Sequence, residues 1–102
     1  MNFAEANTRS RRLAILRLLA ESEGTANESV IKTGLGMLGF AGRMATADAV
    51  RTDLDFLKDC GLVIHTWYDG RVLVVTLTRR GEDYLRREVE PIDGIDYPRV
   101  GK

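Results

Sequence analysis

The chain has 102 residues, 44% of them hydrophobic and 29% charged, which is the size and balance of one soluble globular domain. Fifteen basic and fifteen acidic residues cancel, so no global field draws the protein to nucleic acid or to a membrane surface. A single cysteine, Cys60, excludes an intramolecular disulfide framework and any cysteine-cluster metal site, and points to a reducing, cytoplasmic setting.

The N-terminal stretch MNFAEANTRSRR lacks the basic and apolar regions of a signal peptide. The longest uncharged stretch, Thr33 to Gly42, holds four glycines and falls short of the roughly 20 residues of a membrane span. Asn7 or Thr8 is placed to cap a first helix, in which Leu13, Leu16 and Leu19 or Ala20 recur at helical spacing, widened by Ile15 and Leu18. Arg9, Arg11, Arg12 and Arg17 give this helix a positive face, and Gly24 is a natural stop.

Asn27 caps a second helix, with Glu28 in its first turn and an apolar face of Val30, Ile31, Leu35 and Leu38. Gly34, Gly36 and Gly39 spell G-x-G-x-x-G, but they follow helix-like sequence rather than a strand, so they read as a helix end and a close packing site, not a dinucleotide loop. Thr46 caps a third helix with an inward stripe of Ala47, Val50, Leu54 and Leu57 and with Asp48, Arg51, Thr52 and Asp55 facing away. Leu62 to Tyr68 and Arg71 to Leu77 are strand-like runs joined by Asp69-Gly70, a strong type I′ hairpin signal. Of the adjacent Trp67 and Tyr68, alternation sends one to the core and one to solvent. Thr78 caps a fourth helix running to Pro91, where Glu82–Arg86 and Asp83–Arg87 have the spacing of supporting ion pairs. Residues 91–102 read as a polar, loosely ordered tail beyond a domain spanning residues 1–90.

The fold class is therefore α+β, mostly α: three helices, a two-stranded hairpin and a C-terminal helix, in the order of a winged helix-turn-helix. Thr46, the run Val50 to Leu57, Gly61-Leu62-Val63 and Leu77-Thr78-Arg79-Arg80-Gly81 resemble the pieces by which winged-helix regulators are recognised. The resemblance covers residues 8 to 90, and the chain is also similar to small winged-helix proteins of Mu-like phages and prophages that are described as ArsR-like on fold grounds. It implies a phage or prophage DNA-binding transcription regulator acting as a homodimer, with the first helix, Leu85 and Val89 at the dimer interface. In that geometry the third helix enters the major groove and the hairpin wing lies on the backbone of double-stranded DNA. The DNA-contacting residues would be Arg43, Thr46, Ala49, Arg51 and Thr52, with Arg71 at the wing tip and Arg79 and Arg80 at its base.

A second reading rests on charge. The third helix carries Asp48, Asp53, Asp55 and Asp59 against Arg51 and Lys58, and Gly39 to Ala45 is a longer connection than the tight helix-turn-helix turn. These features suit a winged-helix module that docks on a phage or host protein and has given up DNA. His65 lacks the context of a catalytic residue, a lone Cys60 cannot form a metal sensor, and no cofactor loop is present, so no enzymatic role is expected.

Overall fold

A computed structural model describes residues 2–99, with the side chains of Arg43 and Met44 outside the described set. Among the described residues four α-helices and three antiparallel strands follow one another as α1 (Phe3–Glu21), β1 (Thr25–Asn27), α2 (Glu28–Met37), a short 3-10 helix (Gly42–Ala45), α3 (Ala47–Asp59), β2 (Val63–Tyr68), β3 (Val72–Leu77) and α4 (Arg79–Leu85). About half of the chain is helical.

The capping chemistry determines where the helices begin. Asn27, Thr46 and Thr78 each accept a hydrogen bond from a backbone N–H in the first turn of α2, α3 and α4. The first helix begins earlier than Asn7 or Thr8. Asn2 and Glu5 form a reciprocal capping box, so α1 gains a turn and a half of polar helix before its apolar stripe starts.

The sheet has three strands, not two, in the order β1-β3-β2. β1 pairs with β3 through Thr25–Thr76, Ala26–Val75 and Asn27–Val74, and β2 pairs with β3 from Val63–Leu77 to Tyr68–Val72. At the hairpin tip Asp69 and Gly70 have φ of 52° and 64°, the two left-handed residues a type I′ turn requires.

Alternation along the strands turns Val63, Leu73, Val75 and Leu77 inward against the helices. They meet Leu13, Ile15, Leu16 and Leu19 of α1, Ile31 and Leu35 of α2, and Val50, Leu54 and Leu57 of α3 in a single core. Two residues assigned to the apolar face of α2, Val30 and Leu38, are instead 52% and 56% exposed. With only Ile31 and Leu35 buried, α2 turns a narrow stripe inward.

α4 is shorter than expected. It ends at Leu85, and Arg87 adopts a left-handed φ of 63° that turns the chain back. The anticipated Glu82–Arg86 and Asp83–Arg87 pairs do not form: Asp83 bonds Arg79 and Arg86, and Arg87 donates to the carbonyl of Pro98. The segment after Pro91, loosely ordered by its composition, packs on α1 and α4. Ile95 is 1% exposed, Tyr84 and Tyr97 make an edge-to-face pair at 5.4 Å, and Arg12 donates to the Gly94 carbonyl at 3.0 Å. Apolar anchors at Ile92, Ile95 and Tyr97 outweigh the polar residues between them.

Candidate interaction surface

The residues singled out from the sequence fall at the two ends of α3, at the start of α4 and at the hairpin tip. Its 13 residues make a rod of about 20 Å at 1.5 Å per residue. Thr46, Ala49, Arg51 and Thr52 lie on the N-terminal half. Arg80 lies at the other end, where its Nε donates to the Cys60 carbonyl at 2.9 Å. A cation on the last carbonyls of a helix satisfies an orphan acceptor and complements the dipole, so Arg80 closes α3. Arg79 is exposed and paired with Asp83 on its own helix. Arg71 stands exposed at the hairpin tip.

At the N-terminal half, the Thr46 hydroxyl accepts from the Ala49 N–H at 3.1 Å, Ala49 is half-buried and Thr52 is exposed. Arg51 is held on two sides. Its Nε and Nη2 donate to the two carboxylate oxygens of Glu28 at 2.6 and 2.7 Å, a bidentate pair joining α3 to α2. Its guanidinium also lies 5.3 Å from the centre of the Trp67 ring on β2. The bond from Arg51 holds the Glu28 carboxyl below the usual carboxylate range, and the Arg51 pKa is raised in turn by its bond to Glu28. Beside this pair Glu28, Ser29, Lys32, Ala47, Asp48 and Arg51 line a shallow depression of about 360 Å³.

Asp53 does not belong to this face. It is fully buried between α1 and α3, where Arg11 and Arg12 both bond its carboxylate. Most of the positive face expected on α1 is consumed in the same way: Arg9 pairs with Asp93 and Asp96, and Arg12 also stacks on Phe56 at 3.9 Å, while Arg17 stays exposed. Removing Asp53 from the surface leaves Asp48, Asp55 and Asp59 exposed on α3.

Trp67 and Tyr68 are both largely exposed, at 49% and 63%, rather than divided between core and solvent. The inward side of β2 runs past the end of the core by Trp67, where it meets Arg51 instead. His65 points to the same side and its Nε2 lies 3.1 Å from the Leu54 carbonyl, a strut between β2 and α3. Glu28 and Trp67 are the partners that sequence reasoning missed. Glu28 looked like a first-turn helix acid and Trp67 like one of an alternating core-and-solvent pair, because neither carries a local signal of contact with residue 51.

Comparison with known proteins places the chain. An uncharacterized protein of Haemophilus influenzae (strain Rd) is 40% identical over 81 residues, 78% of this chain and 76% of the relative. The uncharacterized protein gp26 of Escherichia phage Mu is 36% identical over 92 residues, 90% of this chain and 91% of the relative. This chain belongs to the family of Mu gp26. It is thus associated with Mu-like phages. No protein-family model matches the chain, and no solved structure does. Among the described residues no helix is long and apolar enough to cross a membrane.

Proposed function

We propose that the chain is a winged helix of Mu-like phage type whose α2–α3 face docks on protein rather than reading DNA. The carrying observation is Arg51. The side chain best suited to read a guanine edge is held bidentately by Glu28, on a face that presents Asp48 and Asp55 against one lysine, Lys32. Bringing phosphates to that face sets them against carboxylates, and freeing Arg51 costs its bonds to Glu28 before any base is contacted. A basic protein segment meets the same carboxylates favourably, and Trp67 beside them offers an amphipathic anchor of the kind enriched at protein interfaces.

The test is capture from cells in which the phage is replicating, with nuclease present, using the parent chain and an Asp48→Lys/Asp55→Lys variant. The expected result is a protein retained by the parent and released by the variant. Gel shifts against fragments flanking the gene are expected to show no more than the roughly 1–100 µM affinity of non-specific contact, unchanged by Arg51→Ala.

A second reading, a DNA-binding regulator, is favoured by topology. The β1-β3-β2 sheet beside α2 and α3 has the order of a winged helix, and Arg71 stands exposed at the tip of the hairpin. Sequence-dependent, salt-sensitive binding that Arg51→Ala abolishes would establish this second reading and overturn the first.

A further inference from the structure

We infer that the outer edge of β2 is a dimer interface, at which β2 pairs antiparallel with β2 of a second copy about a two-fold axis through Thr66. Trp67 borders both this edge and the α2–α3 face, but the strand pairing does not rest on what that face binds. The sheet order leaves β1 and β2 as edges. Edge strands of soluble proteins are protected by shortness, charge, proline or bulges, because bare N–H and C=O groups invite another strand. β1 is protected by its length of three residues. β2 has none of these devices. It runs six residues as Val-Ile-His-Thr-Trp-Tyr, without charge or proline, and pairs with β3 in unbroken register.

The strand itself specifies the occupant. A two-fold contact must be self-complementary. Val63 is 1% exposed and committed to the core, so the part of β2 outside the core is Ile64 to Tyr68, with His65 half-buried, and it is centred on Thr66. Pairing about Thr66 keeps each face matched with itself: Ile64 falls opposite the partner's Tyr68, and His65 opposite the partner's Trp67. Aromatic and β-branched residues directly opposite one another are favourable cross-strand pairs. The uncharged strand sets no like charges in opposition, and the zero net charge lets two copies approach without repulsion.

Charge at the ends is complementary as well. The same register carries the hairpin tip, with Asp69 and Arg71, toward the partner's Val63 and Gly61. There the end of α3 supplies an acid, the partner's Asp59, for Arg71, and a base, the partner's Arg80, for Asp69. Neither Arg71 nor Asp59 has an ion pair among the described residues. One strand edge is smaller than a standard interface of about 800 Å² per partner, so the dimer dissociates on dilution.

Sedimentation velocity of the full chain across the micromolar range tests this. The parent is expected to show a concentration-dependent monomer–dimer equilibrium. Thr66→Lys, which opposes two ammonium groups at the axis, is expected to be monomeric with an unchanged circular dichroism spectrum. In a Cys60→Ser background, Thr66→Cys is expected to give a covalent dimer on mild oxidation, since directly opposed strand residues approach disulfide spacing. A parent that stays monomeric throughout, or a dimer indifferent to Thr66→Lys, overturns the proposal. Failure of the Thr66→Cys cross-link in a dimer-forming sample overturns the register.

Discussion

Arg11 of α1 and Asp53 of α3 form a bidentate ion pair in the interior, with Asp53 0% and Arg11 6% exposed. Arg12 adds a second cation at 2.9 Å, so the carboxylate is bonded from two sides. Such a cluster fixes how α1 crosses α3 more surely than it stabilises the fold, because desolvating the charges offsets much of their attraction.

Asp53 is the carboxylate on which two cations converge. Asp53→Ala removes the buried carboxylate that Arg11 and Arg12 share and is expected to cost about 3–5 kcal/mol in urea denaturation. Arg11→Met combined with Asp53→Leu removes both charges and refills the space. That double variant is expected to recover most of the loss. If it proves as unstable as Asp53→Ala alone, the cost lies in shape and not in the lost ion pairs.

Glu28 and Arg51 give the fold a modest acid sensitivity. The folded-state pKa of Glu28 is depressed by its bond from Arg51, below the unfolded value of 4.5. The pair therefore stabilises the fold fully above that value, and the contribution disappears as pH falls through the folded pKa. The Arg51 side chain is 43% exposed, which screens the pair, so about 0.5–1 kcal/mol is expected. Measured as the stability difference between the parent and Glu28→Gln, it should be constant near neutrality and shrink below about pH 4.5. A difference that is flat to pH 2 would show that Glu28 acts through its shape alone.

The elements legible in the sequence are those specified by local chemistry. Asn27, Thr46 and Thr78 start helices where their side chains can cap them, and Asp69-Gly70 turns the hairpin because both residues tolerate positive φ. The elements that were missed depend on distant partners. β1 is three residues without periodicity, and it exists because β3 offers Val74 to Thr76 as partners some fifty residues away in the chain. Asp53 sits one position from Leu54 and two from Arg51 on α3, and only the arrival of Arg11 and Arg12 makes its position internal. The candidate surface was half legible for the same reason: Arg51 stood out, while Glu28 and Trp67 became its partners only through tertiary packing.

Gly81 ties the fourth helix to the sheet. A Cβ built there would lie 2.3 Å from the Leu62 carbonyl oxygen and 2.6 Å from Leu77 Cδ1, and the backbone oxygen cannot move aside cheaply. Gly81→Ala is expected to force α4 off the hairpin base and to destabilise by about 1–3 kcal/mol, the usual cost of overpacking. Gly36 is the control. It lies in α2 with nothing within 4 Å of such a Cβ and no positive φ, so Gly36→Ala is expected to stabilise by about 0.4–1 kcal/mol. Thermal denaturation of the two variants should move in opposite directions. Equal shifts would contradict the close approach at Gly81.

The C-terminal segment divides a composition argument from a packing argument. Isoleucine at position 95 is buried against the core, while the Tyr84 hydroxyl donates to the Asp96 carbonyl at 3.1 Å and the Tyr97 hydroxyl to the Val89 carbonyl at 2.6 Å. Together with Arg12 on the Gly94 carbonyl, these contacts draw the chain back across α1 and α4. Ile95→Ala should then behave as a core truncation and cost about 2–5 kcal/mol. Replacing the neighbouring exposed Asp93 by alanine should change stability by less than about 0.5 kcal/mol, as for an ordinary surface site. A loosely ordered tail gives a different outcome, with both variants indistinguishable from the parent. Comparing their urea midpoints decides whether residues 91–99 are part of the folded unit.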